Sequence, residues 1–181
     1  MSKIGQKPVT VPQTVTVDID GSKVSVKGKE GSLTVTLPEG ITISKDKETL
    51  VLKRQNDSKH QKSLHGLFRS LVANAVTGVD TLFEKKLEVM GTGFNVKLQG
   101  EDLVFKVGYN HPVVFKKVVG VKYAVEGNNK VSIKSIDKQL VGEIAYKVKM
   151  IKKPDPYKGK GIKYAGEKLR IKPGKKAKTT A

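Results

Sequence analysis

With 181 residues, 35 Lys/Arg and 17 Asp/Glu, the chain suits one ordinary domain or two small ones, and a net charge of +18 points to a polyanion, nucleic acid before an anionic membrane surface. No apolar run approaches the roughly 18 residues a membrane helix needs, and the first residues, Met1-Ser2-Lys3-Ile4-Gly5-Gln6-Lys7-Pro8, lack a secretory apolar stretch, so a cytoplasmic protein is expected. The absence of cysteine excludes disulfides, thiol catalysis and Cys-ligated zinc, and the absence of Trp leaves a core of mainly Val, Ile and Leu.

The first elements alternate with period two: Val15, Val17 and Ile19, then Val24 and Val26, Leu33, Val35 and Leu37, Ile41 and Ile43, Leu50 and Leu52. Turn signals at Asp20-Gly21, Lys29-Glu30-Gly31 and Pro38-Glu39-Gly40 separate them, so an antiparallel sheet with one wet face is expected, its other face covered by a helix. The period then changes. Leu64, Leu67, Phe68, Leu71, Val72, Ala75 and Val76 form one helical stripe, with a capping-box start at Ser58 and Gln61 and a stop expected at Gly78.

The same order follows again. Leu87 and Val89, Val96 and Leu98, Leu103, Phe105 and Val107, Val121, Tyr123 and Val125, and Val131 and Ile133 read as strands. Asp137 opens a second helix carrying Leu140, Val141, Ile144, Ala145, Val148 and Ile151. The expected fold class is therefore α+β: two tandem copies of a small antiparallel-dominated sheet with one packed helix, plus a basic C-terminal extension. The expected domains are residues 1–80, 82–152 and the extension 153–181, with a short linker limiting independent tumbling.

Residues 154–164 read Pro-Asp-Pro-Tyr-Lys-Gly-Lys-Gly-Ile-Lys-Tyr. Prolines without donors and glycines with a high ordering cost disfavour a regular element, so a loop lying along RNA is expected here and not a buried strand. Residues 147–181 hold 13 Lys/Arg against Asp155 and Glu167, which is +11 of the chain's +18. Tyr157, Ile162, Tyr164, Leu169 and Ile171 interrupt the charge, and a merely solvated arm does not need them.

Catalytic chemistry finds no constellation. His60 and His65 are five apart and miss the shared face that helical metal ligands require. His111, before Pro112, reads first as a turn residue and second as a possible RNA contact. Gly91-Thr92-Gly93 lacks the rest of a dinucleotide loop, and Gly159-Lys160-Gly161 lacks the closing Gly-Lys-Ser/Thr of a phosphate loop. The expectation is no enzyme, no cofactor, no metal and no small-molecule substrate. On the first helix, Lys59, Lys62 and Arg69 serve either RNA or solvation, Arg69 being the better phosphate fork.

The segment over residues 154–164 resembles the signature of the bacterial-type large-subunit ribosomal protein six family. Ser2-Lys3 with Pro8 and Val11-Pro12, His65-Gly66 with Arg69, Leu71, Asn74 and Gly78-Val79, Gly91-x-Gly93-Phe94, and Gly108-Tyr109-Asn110-His111-Pro112-Val113 are similar to other parts of that family, in the same order. The resemblance implies a duplicated fold and a structural role in the large ribosomal subunit. It also implies binding to large-subunit (23S-type) rRNA near the stalk base and the sarcin-ricin loop, where translational GTPases dock. The implied partners are that rRNA and neighbouring large-subunit proteins, with no membrane. By motif the RNA-binding role falls on Lys152, Lys153, Tyr157, Lys158, Gly159, Lys160, Gly161, Lys163 and Tyr164, and by charge on Lys168, Arg170, Lys172, Lys175, Lys176 and Lys178. The alternative is a free-standing RNA-binding chaperone or regulator with the same tail.

Overall fold

A computed structural model describes residues 3–46 and 48–174. The chain forms two compact units, one of Met1–Phe83 with Ser135–Lys138 and one of Glu84–Lys134 with Gln139–Ala181.

The first unit runs α1 (Lys3–Gln6), β1 (Val9–Thr10), β2 (Thr16–Asp20), β3 (Lys23–Gly28), β4 (Gly31–Thr36), β5 (Ile41–Asp46), β6 (Thr49–Arg54) and α2 (Lys59–Asp80). Its strands make two antiparallel three-stranded sheets, β2-β3-β4 and β1-β6-β5. Register follows the apolar alternation: Val17 lies opposite Val26, Val24 opposite Val35, and Val26 opposite Leu33. Helix α2 packs on both sheets, closing a core of Val24, Val26, Leu50 and Leu52 against Val72, Ala75, Val76 and Val79.

Three details of α2 differ from the sequence reading. Of the expected stripe, Val72, Ala75 and Val76 are in the core and Leu64 and Phe68 pack against it, but His65 and Val79 are buried too, while Leu67 is 51% exposed and Leu71 only half-buried. His65 sits inside because both ring nitrogens are satisfied: Nε2 is 2.9 Å from the Leu52 carbonyl and Nδ1 3.0 Å from Arg54 Nη1. Gly78 does not end the helix, which continues to Asp80. A Cβ there would collide with the Ile136 carbonyl and the Phe83 ring, so glycine permits close packing. The cap at Ser58 is as expected, its hydroxyl accepting from the Gln61 amide at 3.2 Å. The Gln61 side chain does not close the capping box; it donates to the Glu39 carbonyl.

The second unit runs β7 (Phe83–Met90), β8 (Asn95–Gln99), β9 (Asp102–Lys106), β10 (Val113–Phe115), β11 (Val121–Glu126), β12 (Lys130–Ser135), α3 (Lys138–Ile151) and β13 (Gly161–Tyr164). Its sheets are β10-β9-β8 and β11-β12-β7-β13. Leu87, Val96, Leu103, Phe105 and Ile133 are fully buried, and α3 turns Val141, Ile144, Ala145 and Val148 inward. The α+β architecture in tandem holds, each unit carrying two small sheets.

The clear departure is β13. Gly161 to Tyr164 pair antiparallel with β7, Ile162 opposite Val89, and Ile162 is 0% exposed. The expectation that this segment holds no buried strand is therefore overturned. Ile162 opposite Val89 and Tyr164 opposite Leu87 seat these four residues on the sheet, despite the Lys/Gly composition.

Candidate nucleic-acid interface

The basic segment leaves the C-terminal end of α3 at Lys152 and is shaped by Asp155. Its Oδ2 accepts from the Lys158 amide at 2.8 Å and its carbonyl from the Gly159 amide at 2.9 Å, while its own amide donates to the Lys160 carbonyl at 2.9 Å. An aspartate bonding its own backbone two or three residues on is a turn-former, and here it folds the loop back on itself. Beyond β13, Glu167 and Tyr164 exchange bonds: the Tyr164 amide donates to Glu167 Oε2 at 2.9 Å and the Glu167 amide to the Tyr164 carbonyl at 3.1 Å. The tail then returns, with the Lys172 amide donating to the Pro156 carbonyl at 2.8 Å. The loop is thus held by its own hydrogen bonds before any partner arrives.

The candidate residues divide by environment. Lys153, Tyr157, Lys158, Lys168, Arg170 and Lys172 are exposed, Tyr157 at 57%. Lys160 is half-buried. Lys152 is also half-buried, its ammonium 4.6 Å from the Tyr109 ring centroid, and Tyr109 in turn donates to the Ile151 carbonyl at 2.8 Å. This ties the loop bearing His111, itself exposed, to the C-terminal end of α3. Lys163 pairs with Glu88 at 3.3 Å. The Tyr164 ring faces two ammonium groups, Lys149 at 4.6 Å and Lys85 at 5.7 Å. Lys163 and Tyr164 thus both hold the fold together.

The two glycines also differ. Gly159 has φ +68° with only Ile171 and Leu169 methyls near a hypothetical Cβ, whereas at Gly161, φ +150°, a Cβ would lie 2.6 Å from Pro154 Cα and 2.7 Å from the Lys153 carbonyl. Gly161 is glycine because of the protein's own backbone. Lys175, Lys176 and Lys178 lie outside the described residues. Arg69, in the first unit, donates through Nε to the Lys7 carbonyl at 3.0 Å.

Lys149 donates to both oxygens of Glu167 at 2.7 and 2.8 Å. That ammonium, then the Tyr164 amide, holds the Glu167 carboxyl below its ordinary range. The Ser132 hydroxyl, with Lys134 behind it, does the same for Glu84. The positive charge is concentrated in one unit: over the full sequence the second unit holds 22 Lys/Arg against 8 Asp/Glu, +14, and the first 13 against 9, +4. Among the described residues no His/Asp/Glu group could hold a metal ion, and no helix is long and apolar enough to cross a membrane.

The residues shaping this candidate interface that composition did not reveal are Asp155, Tyr109 and Met90. The signal for the first was available in its place between two prolines. The other two meet the basic segment only through tertiary contacts.

The sequence model described as Ribosomal protein L6 matches this chain twice, over residues 11–81 and 90–165. Each match covers one round of strands followed by a helix. The chain belongs to the ribosomal protein L6 family. It is 49% identical over 175 residues to the Large ribosomal subunit protein uL6 of Microcystis aeruginosa, an alignment covering 97% of this chain and 93% of that protein. As a member of this family it is a structural constituent of the ribosome and not an enzyme. That argues against the free-standing chaperone or regulator.

Proposed function

We infer that this chain is a structural protein of the large subunit of the cytoplasmic ribosome, and that its second unit holds large-subunit rRNA near the stalk base, beside the site where translational GTPases bind. The observation that carries the RNA contact is the self-bonded loop of residues 152–172, whose exposed Lys153, Tyr157, Lys158, Lys168, Arg170 and Lys172 are displayed from a backbone already fixed by Asp155 and by the Lys172–Pro156 hydrogen bond. Lysines at fixed spacing neutralise phosphates and release counterions, and an exposed tyrosine stacks on a base or packs on a sugar. Fixed backbone spares the ordering entropy a free arm would lose on binding. Specificity then comes mainly from the shape of the folded RNA. Lys152, Lys160, Gly159 and Gly161 support the loop, Lys175, Lys176 and Lys178 extend its charge, and Arg69 and His111 are secondary contacts. The partners are the rRNA and neighbouring large-subunit proteins.

Hydroxyl-radical footprinting of purified large-subunit rRNA with the full chain tests this reading. The expected result is a backbone footprint confined to rRNA at the stalk base, weakened by neutralising Lys158, Lys168 and Arg170 together. A footprint elsewhere, or none, would overturn it.

A further inference from the structure

Where the returning tail crosses the loop, the second unit has an open groove of about 530 Å³, floored by Met90, Leu169 and Ile171 with Gly159 between them and rimmed by Lys158 and Lys168. The geometry points to this groove as the seat of a single unstacked nucleotide of the rRNA, a further contact that rests on the RNA-binding reading above.

Four observations carry it. The floor is apolar yet open, Met90 at 43% and Ile171 at 57% exposure, which serves no purpose against a phosphate ridge. A base face is flat, apolar and π-rich, suited to a thioether and a branched alkyl group. The groove's other charges are spoken for, Glu167 by Lys149 and Lys163 by Glu88, so Lys158 and Lys168, exposed and without an ion pair among the described residues, are the cations facing a ligand. The walls are fixed: the Lys172–Pro156 bond sets Ile171 over Gly159, and the Asp155 bonds set Lys158.

A peptide strand fits less well. Although β13 is an edge strand, its outward donors are taken, the Ile162 amide by the Lys152 carbonyl and the Tyr164 amide by Glu167, so strand addition has no ladder to extend. A fully paired helix keeps its base faces stacked, which leaves an extruded or loop nucleotide as the occupant.

The test compares the full chain with Ile171→Ser and Ile171→Tyr on two probes at equal salt, purified large-subunit rRNA and a fully paired RNA duplex. Loss of a stacked base lowers affinity by about five-fold or more. We expect Ile171→Ser to lose at least that factor on rRNA and nothing on the duplex. Ile171→Tyr should recover it and give an ultraviolet crosslink at an unpaired nucleotide. Equal losses on both probes, or no loss on rRNA, would overturn the groove's assignment while leaving the basic surface intact. So would unchanged rRNA affinity with failed incorporation into large subunits, which would assign the groove to a protein neighbour. Wild-type protein binding rRNA no more tightly than duplex would overturn the RNA reading itself. Because Ile171 is exposed, its variants should keep the wild-type melting temperature.

Discussion

Gly161 shows how far a residue can be read before its neighbours are known. The motif gives Gly161 an RNA-binding role; the structure puts a hypothetical Cβ 2.6 Å from Pro154 Cα, with φ at +150°. The need for glycine was legible and its cause was not, because Pro154 meets Gly161 only through the loop's own hydrogen bonds, Asp155 amide to Lys160 carbonyl and Ile162 amide to Lys152 carbonyl. We predict that Gly161→Ala destabilises the chain by about 1–3 kcal/mol. Gly166→Ala, at φ +79° with open space around it, should lose less, as denaturant midpoints would show. Glu167 gives a second residue-scale prediction. Its folded carboxyl titrates below the ordinary 4.5, so its ion pair with Lys149 contributes stability that is full above about pH 4.5 and is lost as pH falls through the lower folded value. Glu167→Gln should therefore lower the urea midpoint at neutral pH and flatten its decline below pH 4.5. An unchanged acid limb would show that the pair adds nothing.

At the scale of elements, the hairpins were legible because period-two alternation and glycine turns are local signals. Helix α2 was legible in extent and in most of its facing. Leu64 and Phe68 pack against the core that holds Val72, Ala75 and Val76, as their spacing suggests, while Leu67 and Leu71 lie outside it. What the apolar pattern hid is His65, polar in any scale yet buried because Leu52 and Arg54 satisfy its ring. The expected consequence is graded: Leu50→Ala, fully buried beneath α2, should cost about 2–5 kcal/mol, while Leu67→Ala should change stability by about 0.5 kcal/mol or less. Thermal melts of the two variants decide it. A large loss at Leu67 would restore the face expected from the sequence. Short β1 and β10 were not legible, since two or three residues carry no period.

At the scale of the molecule, tandem units with the same element order were visible as a repeated pattern, and charge told the two apart. Fine boundaries follow contacts, not order: Ile136, distant in sequence, lies against Gly31 and Gly78 in the first unit. A chain cut after residue 83 should accordingly show weaker amide protection in β4 and the end of α2 than the full chain does. The functional asymmetry, +14 against +4, makes the central claim testable through salt. If about six phosphates are neutralised, affinity for large-subunit rRNA should fall roughly a thousand-fold between 50 and 200 mM salt. The deciding measurement is that slope for three chains: wild type, the triple variant Lys158→Gln, Lys168→Gln, Arg170→Gln, and the control Lys23→Gln, Lys29→Gln, Lys53→Gln in the first unit. The account predicts a slope shallower by about one unit per neutralised contact in the first triple variant and a wild-type slope in the control. Equal slopes in all three chains, or a larger loss in the control, would contradict it.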